Sequence, residues 1–126
     1  MKWKYVKKTT IQNINKVEEL YCVQLTDRFK NFILDFNNGR PEFDTFDTDI
    51  EQGREFKKIL SYNPEDIENI YDYVSIFKGT ALFPFGTDPS GNFLCLKDNR
   101  IVLLNHETEE IEYVADSMEE FINRLY

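Results

Sequence analysis

A chain of 126 residues with 41% apolar and 15% aromatic side chains, 11 Phe and 7 Tyr among them, is long enough for one buried core and too apolar for a disordered tail. Its net charge of −8 is uneven: Lys2, Lys4, Lys7 and Lys8 form a basic segment over residues 1–8, leaving 11 basic and 23 acidic side chains in the other 118 residues. That balance excludes nucleic acid and anionic membrane as partners, since both need a basic surface, and no apolar run approaches the roughly 18–20 residues that cross a bilayer.

The first element is a helix over Thr10–Cys22, with Ile11, Ile14, Val17 and Tyr21 at helical spacing and Thr9 or Thr10 as its cap. A second helix follows over Thr26–Asn38. Leu25, Phe29, Phe32, Ile33 and Phe36 form its apolar face, Thr26 or Asp27 opens it, and Asn37-Asn38-Gly39 closes it. Arg40–Tyr62 is read as a short strand, an acidic loop near Thr48–Gly53, and a second strand. Asn63-Pro64 then starts a third helix, with Pro suited to its first position and Ile67, Ile70, Tyr71 and Val74 as its buried face.

From Ala81 the period changes. Leu82–Phe85, Phe93–Leu96, Ile101–Leu104 and Glu112–Ala115 are short runs bounded by turn residues, which implies an antiparallel meander. Ser117 with Glu120 forms a capping box for a last helix, Met118–Tyr126, whose Met118, Phe121, Ile122 and Leu125 face the core. The order helix, helix, strands, helix, strand meander, helix defines an α+β class. Its sheet is antiparallel, or mixed at most, with helices mainly on one side, in a single domain over residues 1–126.

Little in the chain points to catalysis. Cys22 and Cys95 both sit in apolar segments and are expected as buried free thiols. With no CxxC and one histidine, His106, a Cys/His zinc site lacks ligands. His106 lies in a turn, Asn105–Thr108, where a histidine is usually exposed and idle. Asp47, Asp49, Glu51 and Gly53 resemble a calcium loop only in part. The sixth and twelfth positions from Asp47, where an EF-hand needs Gly and Glu, hold Gln52 and Lys58. No glycine-rich phosphate loop opens a helix. No metal or cofactor is expected, and the basic start MKWKYVKKTT, without an apolar segment behind it, points away from a secretory leader and toward the cytoplasm.

The best-punctuated stretch is Leu82–Leu96, an apolar strand, then Pro84-Phe85-Gly86-Thr87-Asp88, then Gly91-Asn92, then a strand ending in Leu. It resembles the signature of the SUKH superfamily, which includes fungal cell-wall-assembly regulators and many bacterial toxin-immunity proteins. Leu25–Gly39 is similar to the family's second helix, His106-Glu107 to its His-Glu pair after a strand, and Ser117–Leu125 to its closing helix. Thr26 stands where the family usually has Pro, and Asn38-Gly39-Arg40 lacks the common second Gly, which marks a divergent, bacterial-type member. The resemblance implies a non-enzymatic, protein-binding domain. Its expected partner is a cognate toxin with a basic surface, of which nuclease domains are one kind. The alternative is a scaffold or regulator with no toxin partner, and the oligomeric state stays open. The candidate contact residues are Phe85, Asp88 and Asn92 of the signature turn and Asp47, Asp49 and Glu51 of the acidic loop.

Overall fold

Polar caps decide where the first two helices begin. In the computed structural model, which describes Met1–Tyr126, α1 spans Ile11–Tyr21 and the Thr10 hydroxyl accepts from the Asn13 N–H at 3.1 Å. Strand β1 (Trp3–Lys4) precedes it. Helix α2 spans Asp27–Phe36, and Thr26 caps it by accepting from Phe29 N–H at 3.1 Å. Each cap satisfies one of the amides that a helix start leaves free.

The helix ends lie slightly inside the expected limits. Helix α1 stops at Tyr21, and Cys22 takes the left-handed conformation, φ 54°, just beyond the buried stripe of Ile14, Val17 and Tyr21. Cys22 is therefore exposed, against the expectation of two buried thiols, while Cys95 is buried and its thiol pKa is pushed far up by desolvation. Helix α2 ends at Phe36 because the Asn37 side chain is recruited inward. Its amide donates to Lys7 O and Ser61 Oγ, and its Oδ1 accepts from Tyr62 N–H at 2.7 Å. Asn38, φ 67°, makes the left-handed turn expected of Gly39.

The middle of the chain is built from two-residue strands: β2 (Arg40–Pro41), β3 (Thr45–Phe46), β4 (Arg54–Glu55) and β5 (Lys58–Ile59). Strand β1 pairs with β2, and β3 pairs with β4 around the acidic loop. The third helix starts later than Asn63-Pro64. A 3-10 turn over Ile70–Tyr73 leads into α3, Val74–Phe77, and Ile67, expected on a buried face, is 84% exposed. The polar side chains of this segment serve other partners. Asp66 accepts from Ser61 Oγ at 2.6 Å and from Asn63 Nδ2 at 3.1 Å. Glu68 takes φ 56°, which a helix excludes, and Asn69 caps the helical turn by accepting from Asp72 N–H.

The meander stands as read. Strands β6 (Phe83–Thr87), β7 (Phe93–Lys97), β8 (Arg100–Leu104) and β9 (Ile111–Ala115) follow one another antiparallel, with β5 added beside β6. Pro84 cannot donate to a ladder, and it lies beyond the reach of β5, which pairs only with Gly86 and Thr87. A bulge between Pro84 and Gly86 lets Phe85 point into the core. Gly86 is required there, since a Cβ would meet the Phe56 ring at 2.5 Å. Helix α4 covers Met118–Arg124; Ser117 caps it through Glu120 N–H, while the Glu120 carboxylate reaches back to Asp116 N–H.

Aromatic edges hold the layers together. Phe121 of α4 meets Phe46, Phe56 and Phe85 at ring distances of 5.6, 5.5 and 6.0 Å, and Phe29 of α2 meets Phe83 and Phe85. These two helices cover one face of the sheet. On the other, Tyr73 and Phe77 pack edge-on against Phe93. The architecture is α+β with an antiparallel sheet, as the order of elements implied.

Candidate interaction surface

The six residues singled out in the sequence fall into two groups. Phe85 is fully buried and presents no surface to a partner. Asp88 and Asn92 are also buried, and their polar atoms are spent on the turn between β6 and β7. Asp88 Oδ1 accepts from Ser90 N–H at 2.9 Å and Asn92 N–H at 2.8 Å, while its Oδ2 accepts from Asn92 Nδ2 at 2.9 Å. Asn92 Oδ1 then accepts the backbone N–H of His106 at 3.1 Å and lies 2.9 Å from His106 Nδ1. That contact makes Nδ1 the protonated nitrogen of an exposed ring. The sequence suggested an idle turn histidine; instead His106 ends a chain of bonds joining two turns. Gly91, φ +85°, lies under the ring, with a Cβ position 3.8 Å from it.

Asp47, Asp49 and Glu51 belong to an exposed loop held from three sides. Within it, the Thr48 hydroxyl accepts from Ile50 and Glu51 N–H, and Thr48 N–H returns a bond to Glu51 O at 2.8 Å. At the sheet, Asp49 behaves like one residue of an added strand. Its N–H donates to Tyr113 O and its carboxylate accepts from Tyr113 N–H, both at 2.9 Å, which occupies an otherwise open edge of β9. At the base, Asp47 Oδ1 accepts from Gly53 N–H at 2.9 Å and from the Tyr126 hydroxyl at 2.7 Å. These two bonds hold the Asp47 carboxyl below the ordinary aspartate range.

The anchor beneath the loop is a buried ion pair. Arg54 grips Glu112 through Nε at 3.0 Å and Nη2 at 2.6 Å, and also reaches Glu51 at 2.9 Å. Thr48 Oγ1 donates to Glu112 at 2.6 Å. Burial opposes the charge on Glu112, but the Arg54 and Thr48 bonds outweigh it and hold this carboxyl below the usual range. The three exposed acids thus stand on a fixed frame with lone pairs left over. Ile50 at the tip is 67% exposed. A fixed row of carboxylates beside an apolar tip can accept charge-assisted bonds from Lys or Arg of another molecule. No three His, Cys, Asp or Glu side chains converge as a metal-ligand set; the loop carboxylates face Tyr126, Tyr113 and Arg54 separately.

Two features escaped the sequence. One is a polar seam under β5 and β6. Lys58 is buried, its amine bonded to Asn38 and to Ile67 O and its pKa pushed down by burial, while Lys57 pairs with Glu68, which also accepts from Thr87. Lys57-Lys58 beside an acidic stretch gave no sign that one ammonium turns inward. The other is an apolar groove between α2 and α4. Its signal was the width of the apolar stripe on α2, more than one packing face uses.

With this geometry in view, residues 8–124 match the SMI1 / KNR4 family (SUKH-1), and the chain belongs to that family. Neither the curated proteins nor the solved structures give a match to it. No helix is long and apolar enough to cross a membrane.

Proposed function

We propose that this chain is a non-enzymatic, cytoplasmic immunity protein of a bacterium that binds a cognate toxin through the toxin's basic surface and so blocks it. Membership of a family that includes toxin-immunity proteins supports the reading, as does the net charge of −8. The observation that carries it is the loop of Asp47, Asp49 and Glu51. It is exposed, already ordered, and anchored to β9 by the Arg54–Glu112 pair, so little ordering cost remains when a partner arrives. Carboxylates on such a frame attract a cationic cleft over a distance and speed the encounter. A nuclease-type toxin, whose cleft must accept phosphates, offers that surface.

Phe85, Asp88 and Asn92 take part from beneath: they shape the turn that holds His106 at the surface.

The test is co-expression and pulldown with the polypeptide encoded by the neighbouring reading frame. The expected result is rescue of growth and a stable complex. A neighbouring toxin that neither binds nor is inhibited overturns the proposal. A neighbourhood without any toxin gene supports the scaffold alternative instead.

A further inference from the structure

Residues 1–9 run as a strap across the end of α2, held more by polar bonds than by burial. Strand β1 is two residues long, Tyr5 is 68% exposed and Val6 41%. Trp3 is seated on an apolar surface, stacked on Phe36 at 4.6 Å and edge-on to Phe32 at 5.9 Å. Buried asparagines grip the rest. Asn37 Nδ2 donates to Lys7 O at 3.1 Å, Asn38 Nδ2 to Tyr5 O at 2.8 Å and Asn63 Nδ2 to Lys8 O at 2.9 Å. Lys7 N–H donates in turn to Asn37 O at 2.9 Å. Residues 1–7 of the strap precede the stretch, 8–124, that matches the family.

The strap and the bend at 63–69 meet at one buried pair. The Lys58 amine donates to Asn38 Oδ1 and to Ile67 O, the latter at 3.0 Å. Asn38 thus holds the strap with its amide nitrogen and the lysine with its oxygen, and Lys58 holds the bend. Lys7 Nζ and Asp66 Oδ1, 3.1 Å apart, tie the two segments directly. Each segment is strained beside the pair: Tyr5, φ 60°, and Glu68, φ 56°, are left-handed without being glycine. Burial disfavours the ammonium and pushes the Lys58 pKa down. A buried charge and two strained residues are costs that opening relieves, and the exposed strap has little apolar burial to oppose it. On the other side, Gly39 leaves room for the closed strap: a Cβ there would lie 3.0 Å from the Trp3 ring and 3.2 Å from a Val6 methyl.

We infer that the strap and the 63–69 bend are one latch, closed by the Asn38–Lys58 pair, which opens as a unit while the sheet stays folded and so uncovers Phe36 and the C-terminal end of α2. This goes beyond the toxin reading and needs none of the loop acids.

Native-state hydrogen exchange on the full chain tests it. The Lys7 and Glu42 amides, bonded to Asn37 O and Lys2 O, report the strap; the Ser61 and Asp66 amides, bonded to Glu68 O and Asn63 O, report the bend. In the unaltered chain all four are expected to exchange through one opening, about ten-fold or more faster than Leu94 and Leu103 of the sheet. Lys58→Met keeps the apolar stem and removes the shared donor, and Gly39→Ala pushes on the strap from the other side. Each is expected to raise exchange of all four amides by about ten-fold or more and to leave the two sheet amides unchanged. Emission of Trp3, the only tryptophan, shifts to the red in both. Strap and bend amides that open with different free energies in the unaltered chain overturn the inference, and so does an opening shared with Leu94 and Leu103. A variant that raises exchange in the strap alone, the bend alone, or neither also overturns it. If neither variant folds, exchange in the unaltered chain decides.

Discussion

The β6–β7 turn and the acidic loop have similar compositions, each with an aspartate, a threonine and a glycine within seven residues, yet they do opposite work. In the turn, Asp88 and Asn92 are buried and every bond they make closes on the protein itself. In the loop, Asp47, Asp49 and Glu51 remain at the surface, and the burial is delegated to Glu112 and Arg54 below. The contrast teaches that a carboxylate in a turn is available to a partner only when something else supports the backbone. The turn uses its acid as the support. In the loop Asp47 and Asp49 each give one oxygen to a local bond while Glu112 and Arg54 carry the burial below, so lone pairs stay free at the surface.

Breaking each region should therefore give different signatures. The largest effect belongs to the core beneath the turn: Phe85→Ala should cost about 3–5 kcal/mol, read as a lowered urea midpoint, because it removes the ring packed between Phe29, Phe56 and Phe121. Next comes the loop's anchor. Glu112→Ala leaves Arg54 largely buried without its main partner and should cost about 3 kcal/mol in the same measurement. A variant that melts like the unaltered chain would show the pair to be dispensable. Asp88→Ala should cost about 1–3 kcal/mol, since the buried Asn92 N–H loses its acceptor, and its NMR spectrum should show His106 released.

The pH dependence sharpens the same comparison. The folded-state pKa of Glu112 lies below that of the unfolded chain, so its contribution is complete above the ordinary glutamate value of about 4.3 and is lost as pH falls through the folded value. Unfolding followed against pH should show stability falling below about pH 4, with Glu112→Gln flattening that fall. The smallest change is expected at Tyr62, a fully buried side chain whose hydroxyl has no hydrogen-bond partner. Tyr62→Phe should be neutral or stabilising by up to about 1 kcal/mol, and a clear loss would reveal a bond made by that hydroxyl.

What could be read from the sequence follows the same physics. The meander was legible because each strand is bounded by residues that stop a ladder, as Asp98-Asn99 do between β7 and β8, where both take positive φ. Helix starts were legible where the cap residue has no competing partner, as at Thr26 and Ser117. The start at Asn63 was not, because Ser61, Asn63 and Asp66 bond one another across a bend, and no local pattern separates that from a cap. Among the site residues, exposure was the illegible property. Asp88 and Asp49 look alike in the chain, and only the bulge after Pro84 and the pairing of β8 with β9 decide which one is covered. Phe32, Phe36, Met118 and Ile122 were read as core. Their spacing was right, but each stays partly exposed along the open groove between α2 and α4.

The central claim is that the charges of the loop acids recognise a basic partner, while the fold needs only their acceptor oxygens. The most direct measurement is the association rate of the neighbouring-frame toxin with the unaltered chain and with D47N/D49N/E51Q, each at low and high salt. These substitutions keep the acceptor oxygens that hold the loop. The account predicts an unchanged urea midpoint, association slowed at least ten-fold at low salt, and rates that converge as salt rises. Equal rates at low salt, with the same salt dependence for both proteins, would contradict it.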